Sequence, residues 1–166
     1  MTDGKIFERD FKESCKRQNI WCMRINDTYY KAKEYDKDCF VPQQCCDYVL
    51  HYNGMLIMTE LKTTKNKYIT IEREHLRMIK KHQYDQMYHN EGDYEFGVLI
   101  LQLDRDDDCM TYGMRITDFM DFLDKTNKCS INALDIVQNG GEIIEWAVGK
   151  TRNHYNIKGL LDKLMK

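Results

Sequence analysis

The spacing of hydrophobic positions changes along the chain, and each spacing predicts a different kind of element. Apolar residues at three- to four-residue intervals predict a first helix over 3–18, where Phe7, Phe11 and Cys15 share one face. The same spacing and capping residues predict further helices, over 71–89, 117–125, 130–138 and from Asn156 towards the C-terminus. Short or nearly continuous apolar runs predict strands, over 20–25, 94–103, 109–116 and 142–149.

The order of these elements indicates the fold class. A helix, several antiparallel strands, a second helix and further strands predict an α/β (α+β) protein with a mixed central sheet flanked by helices. The 166 residues suit a single domain, over 1–166. Segment 26–44 has no clear period, and a loop of that length in a compact domain is usually functional or disordered.

A hairpin is predicted around Asn53 and Gly54, because Asn-Gly is the strongest short signal for a two-residue hairpin turn. In the register that this turn sets, Asp47 falls directly opposite Glu60. Their Cβ atoms would lie ~5 Å apart, where two like charges destabilise a sheet. A longer loop would shift the register and weaken this argument.

A divalent cation between the two carboxylates would reverse this electrostatic cost. Mg²⁺ and Mn²⁺ prefer hard carboxylate oxygens, and Lys62 lies two residues beyond Glu60 on the same strand face. A metal polarises a phosphate and lowers the pKa of a bound water, and a lysine orients that water or stabilises charge on the phosphate. The pattern therefore indicates a phosphodiester-cleaving site. The alternative is an exposed Glu60–Lys62 pair on an edge strand, with Asp47 in a loop.

Composition and charge narrow the class of protein. Hydrophobic residues make up 42% of the chain and charged residues 31%, as in ordinary soluble globular proteins, and no apolar run approaches the ~20 residues of a membrane span. The N-terminus shows no signal peptide, and the seven cysteines without a Cys-x-x-Cys pair predict reduced thiols in the cytoplasm. The net charge is −2, but the charges are unevenly distributed, and the segments 60–90 and 150–166 are basic. These segments are either solvated faces or nucleic-acid surfaces.

Five stretches in chain order resemble the RecU family of Holliday junction resolvases, which belongs to the PD-(D/E)XK nuclease superfamily and occurs in Gram-positive bacteria and their phages. They are GKIFERDFK, FVPQQCCDY, ELKTTKNK, IKKHQYDQM and KTRNHYNIKGLL. The resemblance implies a restriction-endonuclease-like fold and a homodimer whose two active sites cut opposed strands of a four-way DNA junction. It also implies Mg²⁺ as the cofactor, with Mn²⁺ as a substitute.

The resemblance assigns roles to individual residues. Asp47 and Glu60 would be the metal ligands, and Lys62 the catalytic lysine. Glu8, on the first helix, would complete or support the metal site. Gln83 would help to position the phosphate or the water.

The resemblance also indicates where DNA would bind. Segment 26–44 would be the family's stalk, which protrudes into the junction, with Phe40 near the junction centre. Other candidate contacts to the DNA backbone are basic residues of the stalk, of the strand end and of the C-terminal segment: Lys31, Lys33, Lys37, Lys65, Lys67, Arg152 and Lys158. Phosphate contacts of this kind give affinity without reading sequence.

The leading hypothesis is a metal-dependent, structure-selective endonuclease that resolves four-way junctions by paired nicking. It would act in the cytoplasm of a bacterium or of a phage-infected cell, alongside a host or phage recombinase. Two alternatives stay open: a restriction- or repair-type PD-(D/E)XK nuclease on duplex or flap DNA, and a non-catalytic junction-binding protein. Preference for branched over linear DNA separates the first two hypotheses, and cleavage in Mg²⁺ excludes the third.

Overall fold

The structure is a computed structural model that describes residues 3–25, 44–73, 77–105 and 108–166. The helices are α1 (Asp3–Arg17), α2 (Lys81–His89), α3 (Ile116–Lys125), α4 (Ala133–Gln138) and α5 (Ile157–Leu164). The strands are β1 (Trp21–Arg24), β2 (Tyr48–Tyr52), β3 (Met55–Thr64), β4 (Tyr68–Thr70), β5 (Glu95–Arg105), β6 (Asp108–Arg115), β7 (Ser130–Asn132), β8 (Glu142–Ile143), β9 (Trp146–Val148) and β10 (Asn153–Tyr155). No helix within these described ranges is long and apolar enough to cross a membrane.

The central sheet has six strands in the order β1-β2-β3-β5-β6-β8. β3 and β5 are parallel, whereas the other neighbours are antiparallel. A parallel pair needs a crossover connection, and α2 lies within the stretch that joins β3 to β5. The predicted mixed sheet flanked by helices is therefore confirmed.

The β2–β3 hairpin has the predicted register. Tyr52 pairs with Met55, and the ladder ends at the pair Tyr48 and Thr59, so Asp47 and Glu60 are the next two opposed positions. The turn residues Asn53 and Gly54 have φ values of 48° and 79°. Positive φ at both positions is the signature of the type I′ turn, which Asn-Gly favours.

The two faces of the sheet carry separate cores. Side chains alternate between the faces along a strand, so Ile57 and Leu61 of β3 join the core that contains Phe7 and Phe11 of α1. The opposite face is covered by α2 and α3, which bury a second cluster around Leu99. Glu60 lies on this second face, between two positions that point to the first.

The predicted helix over 71–89 is wrong at its start, and residues 74–76 lie outside the described ranges. The helix begins at Lys81, whereas Ile71 and Ile79 form an isolated bridge and are both fully buried. Main-chain hydrogen bonds hold this bridge, because the Ile79 N–H donates to the Thr70 carbonyl (3.0 Å). Apolar residues at helical spacing are therefore not all helical here, because Ile71 and Ile79 are bridged and both lie in the core.

Two further predictions about local structure are corrected. Ser130 does not cap a helix but begins β7, in which Ile131 is fully buried. The residue that caps α4 is Asn132, whose side chain accepts the Asp135 N–H (2.9 Å). The strand predicted over 142–149 is divided into β8 and β9, which belong to different sheets. Between them Ile144 is buried in the first core.

Candidate active site

Asp47 is tied to β3 on both sides of Glu60. Its N–H donates to the carbonyl of Thr59 (3.1 Å), and its Oδ2 accepts the N–H of Leu61 (2.9 Å). One bond continues the β ladder, and the other uses the carboxylate to hold the start of β2 against β3. The two carboxylates therefore face the same side of the sheet, as the hairpin register predicts.

Glu60 is a fully buried carboxylate whose two oxygens differ. Its exposed fraction is 0%. Oε1 accepts hydrogen bonds from Lys62 Nζ and from Gln83 Nε2, the latter at 2.7 Å. Oε2 is buried and has no hydrogen-bond partner within the part of the chain that the structure describes. A buried polar atom without a partner costs free energy and requires an explanation.

The electrostatic environment of Glu60 favours an additional positive charge. Burial raises the pKa of the Glu60 carboxyl from its ordinary value to about 7, because the charged form is poorly solvated there. The Lys62 ammonium opposes this shift, and the nearby Asp47 carboxylate adds to it. One ammonium therefore does not fully compensate the two facing carboxylates.

Gln83 is oriented by the first turn of α2. It is 7% exposed, and its Oε1 accepts the N–H of Lys80 (3.4 Å) while its own N–H donates to the Lys80 carbonyl (3.0 Å). This fixes the amide oxygen towards the helix start and directs the amide nitrogen to Glu60. The structure thus brings together four predicted residues: Asp47, Glu60, Lys62 and Gln83.

Glu8 lies apart from this group in its hydrogen bonding. Its Oε2 pairs with Arg24 Nη2 of β1 at 2.9 Å, and its carbonyl accepts the Tyr48 hydroxyl (3.5 Å). Because Tyr48 directly follows Asp47, Glu8 is attached to the strand that carries a predicted metal ligand. No group of three or more His, Cys, Asp or Glu side chains converges on a metal position among the described residues, so the predicted third carboxylate does not complete a cluster here.

Three of the basic candidates for DNA contact belong to other segments but contact α1 or the turn that follows it. Lys65 pairs with Asp3 at the start of the helix (3.3 Å), and Arg152 pairs with Glu13 farther along (3.4 Å). The main chain of Lys158 is held at the far end of the helix, where its N–H donates to a glutamine side chain (2.8 Å). At 1.5 Å per residue these positions span about 20 Å along the helix axis, so the three residues do not form one compact patch.

The remaining candidates for DNA contact are placed less completely. Lys67 is exposed in the turn before β4. The stalk candidates lie outside the described residues: Lys31, Lys33, Lys37 and Phe40. Of segment 26–44 the structure describes Gln44, whose Nε2 donates to the carbonyls of Ile25 (2.9 Å) and Cys46 (2.6 Å). This amide joins the chain on either side of the predicted stalk.

Sequence reasoning does not reveal two contacts at or beside the site. The apolar run identifies Arg24 only as a strand residue, and its pairing with Glu8 depends on how β1 packs beside α1. The Leu61 N–H that holds Asp47 carries no sequence signal, because every residue but proline has such a donor.

The donor set fits a hard divalent cation. Glu60 offers a buried oxygen that no described hydrogen-bond donor reaches, and Asp47 stands opposite it. A carboxylate pair of this kind is costly without a cation and is a suitable ligand set for Mg²⁺ or Mn²⁺. The unpartnered atom is thus explained if the site takes a metal.

A family model matches most of the chain. The model for RecU, described as Recombination protein U, matches residues 14–156, which is well over half of the chain. The chain belongs to the RecU family. RecU is a family of Holliday junction resolvases. The RecU match includes Asp47, Glu60, Lys62 and Gln83, whereas Glu8 and Lys158 lie outside its limits.

A solved structure supports the fold of this RecU-family chain. The chain is similar to Hjc, a Holliday junction resolvase from the archaeal hyperthermophile Archaeoglobus fulgidus, with a TM-score of 0.51 and 15% sequence identity. The similarity covers 80% of this chain and 90% of Hjc. At that identity the likeness shows the fold, which is the predicted restriction-endonuclease-like fold. No curated protein sequence matches the chain.

Proposed function

We propose that this RecU-family protein is a metal-dependent, structure-selective DNA endonuclease that resolves four-way junctions by paired nicking. The observation that carries the proposal is the buried Glu60 opposite Asp47, with one carboxylate oxygen left without a hydrogen-bond donor among the described residues. A binding protein without catalytic activity has no need to retain this unfavourable arrangement. Membership of a junction resolvase family supports branched DNA as the substrate.

Asp47 and Glu60 would hold Mg²⁺, or Mn²⁺ in its place. The ion supplies Lewis acidity towards a phosphate oxygen and lowers the pKa of a bound water. The chain's own contribution is to fix both ligands before the substrate arrives. The Leu61 N–H orients Asp47, and Lys62 and Gln83 occupy one oxygen of Glu60 so that the other is directed away from them.

Lys62 is suited to act on the reacting phosphate. Its side chain is 18% exposed and lies on the same strand face as Glu60. From this position its ammonium can donate a hydrogen bond to a phosphate oxygen or to the attacking water. Gln83 supports the site through Glu60 rather than through the substrate, because its amide nitrogen is already directed to the carboxylate.

Paired nicking needs two active sites, and this chain carries one pair of facing carboxylates in its described part. We therefore include a homodimer in the proposal, with each copy cutting one of two opposed strands. The basic residues along α1 and the stalk segment 26–44 would contact the junction through phosphates. A host or phage recombinase is the expected partner in the cell.

The test is cleavage of a labelled four-way junction and a matched linear duplex in Mg²⁺, in Mn²⁺ and in EDTA. Asp47→Asn is the main variant, because asparagine keeps an oxygen that can accept the Leu61 N–H but removes the charge. Loss of several kcal/mol of transition-state stabilisation predicts that the cleavage rate falls by a factor of about a thousand or more. Asp121→Asn is the matched control, since Asp121 is an exposed acid paired with Lys125 on α3.

The outcomes separate the candidate functions. Paired nicks in the junction alone, lost in EDTA and in Asp47→Asn, would support the proposal. Equal cutting of both DNAs would keep the metal site and favour the duplex or flap nuclease. Tight junction binding without cutting in either metal would overturn the enzyme proposal and leave the binding protein.

A further inference from the structure

A glutamine side chain connects two main-chain segments beside Asp47. The Gln44 amide nitrogen donates hydrogen bonds to the carbonyl of Ile25 (2.9 Å) and to the carbonyl of Cys46 (2.6 Å). Ile25 directly follows β1, and Cys46 directly precedes Asp47. The half-buried amide of Gln44 therefore joins the end of β1 to the peptide bond through which the chain enters Asp47.

These hydrogen bonds lie where the ladder between β1 and β2 ends. Its last pair is Arg24 and Tyr48, and one further main-chain bond runs from the Ile25 N–H to the Asp47 carbonyl (2.9 Å). The carbonyl of Cys46, one residue beyond Asp47, accepts its hydrogen bond from a side chain. A side-chain donor thus extends the connection between the two strands beyond their ladder.

An amide suits this position because its nitrogen carries two N–H donors. Two main-chain carbonyls converge on the nitrogen of Gln44, and each can accept one of these donors. A methionine of similar length has no donor, and an ionised glutamate offers only acceptors, which would repel both carbonyl oxygens. Leaving a partly buried carbonyl without its donor costs free energy, so the chemistry of the position favours glutamine.

The peptide bond between Cys46 and Asp47 is held at both of its polar groups. Its carbonyl accepts from Gln44, and its N–H donates to the carbonyl of Thr59 on β3 (3.1 Å). Because a peptide unit is planar, these two bonds fix the orientation of the plane and the direction from which the chain reaches the Asp47 Cα. The N–H donor and the carbonyl acceptor in this arrangement belong to the main chain, whereas the Gln44 amide can be removed by substitution.

We propose that Gln44 is a positioning residue of the metal site. It acts through the main chain, because its amide fixes the peptide that precedes Asp47 and so keeps the Asp47 carboxylate opposite Glu60. The inference rests on the proposed function, since it gives Gln44 a part in holding the cation that Asp47 and Glu60 would bind. Functional side chains must be held within about 0.5 Å of their working geometry, so even a small rotation of this peptide should lower metal affinity.

Each of the two facing carboxylates is then held by one glutamine amide. Gln83 donates directly to the Glu60 carboxylate (2.7 Å), whereas Gln44 acts on Asp47 through the preceding carbonyl. Gln83 belongs to α2, and Gln44 lies before β2. The two ligands are therefore positioned by separate parts of the fold, and loss of the Gln44 amide should weaken metal binding while the contact between Gln83 and Glu60 remains.

The experiment measures Mn²⁺ binding to the full chain without DNA, from the electron paramagnetic resonance signal of the free ion. Gln44→Met keeps the length of the side chain and removes both donors, and its Mn²⁺ dissociation constant should rise by about tenfold or more. Gln44→Asn keeps an amide on a shorter side chain and should show a smaller rise. Gln138→Met, at the exposed end of α4, is the matched control and should bind Mn²⁺ as the wild type does.

Two further measurements separate positioning from other roles. Urea unfolding reports the stability of each variant, and binding of a labelled four-way junction in EDTA reports DNA affinity without metal, which should stay at the wild-type value. A Gln44→Met protein that is less stable but binds Mn²⁺ with wild-type affinity would show a purely structural role and overturn the proposal. Weaker junction binding in EDTA would make Gln44 a DNA contact and also overturn it. If Gln44→Met does not fold, Gln44→Asn carries the same test.

The outcomes also separate this inference from the proposed nuclease. If the wild type binds Mn²⁺ and cuts junctions, and Gln44→Met does both equally well at limiting metal, this inference alone is overturned. If the variant binds Mn²⁺ more weakly but the wild type cuts no DNA, the role of Gln44 is supported and the nuclease is rejected. A wild type that binds no Mn²⁺ would overturn the metal site and the role of Gln44 together.

Discussion

Two buried carboxylates on opposite faces of the sheet are treated differently by the fold. Asp10 of α1 is 2% exposed and has donors on both oxygens, because Oδ1 accepts from Arg9 (2.8 Å) and Oδ2 accepts the N–H of Asn153 (3.1 Å). Glu60 is more deeply buried, yet one of its oxygens has no partner among the described residues.

The difference teaches how a structural acid is distinguished from a functional one. Asp10 joins α1 to β10, and its neighbour Ser14 continues the link by accepting the Tyr155 N–H (3.0 Å). The hydrogen bonds of Asp10 are complete within the chain, so its burial needs no ligand. The hydrogen bonds of Glu60 are incomplete among the described residues, and under the proposed function a cation would supply the missing partner.

The largest effect on stability is expected from Glu60→Gln in the metal-free protein. The pKa of Glu60 is raised from 4.5 to about 7 in the folded state, so ionised Glu60 destabilises the fold as pH rises through this window. Glutamine removes the charge. The stability of the variant relative to wild type should therefore increase by roughly 3 kcal/mol between pH 4.5 and pH 8.

Urea unfolding of both proteins across this pH range measures the difference. Saturating Mg²⁺ should stabilise the wild type at pH 8 and have no effect on the variant. If the difference in unfolding free energy between the two proteins does not change with pH, Glu60 and Asp47 are ordinary partners in the fold. Glu60 would then not differ from Asp10 in the way proposed above.

The next largest effect is expected from Gln83→Met, which keeps the length of the side chain but removes the donor to Glu60. Groups that orient a metal ligand typically contribute 10- to 100-fold in metal affinity or activity. The Mg²⁺ concentration for half-maximal cleavage should rise by about that factor. Gln86→Met, on the exposed side of the same helix, is the control and should leave it unchanged.

A smaller effect, on stability rather than on the response to metal, is expected from Asp10→Ala. The variant leaves the N–H of Asn153 without this acceptor, which costs about 1 kcal/mol for a partly buried donor. The midpoint of urea unfolding should fall, while the Mg²⁺ dependence of cleavage stays at the wild-type value. A loss of metal response here would place Asp10 in the site and contradict the comparison.

The smallest effect is expected from Lys65→Gln. Lys65 is exposed and pairs with Asp3, also exposed, so its removal changes stability by less than about 1 kcal/mol. If Lys65 contacts phosphate, the slope of log affinity for junction DNA against log salt should decrease by about one. Lys125→Gln should leave the slope unchanged, and equal slopes for both variants would remove Lys65 from the DNA surface.

The local signals in the sequence were sufficient for the hairpin. Asn53 and Gly54 determine their own turn because both residues tolerate positive φ, and the turn then fixes which residues are opposed. The opposition of Asp47 and Glu60 follows from this register, and so does the shared face of Lys62. These are short-range consequences of strand geometry, so the chain specifies them without its tertiary contacts.

Contacts between distant segments were decided only by the tertiary structure. Apolar spacing over 71–79 could not reveal that Ile71 and Ile79 bridge in extended form, because burial in a core satisfies a helix and a pair of strands equally well. The pairing of Glu8 with Arg24 likewise depends on how α1 packs beside β1. The sequence by itself determined which carboxylates face each other. The position of α2 decided that Glu60 would be buried with one oxygen unpartnered among the described residues, because α2 brings the Gln83 amide to the oxygen that Lys62 already holds.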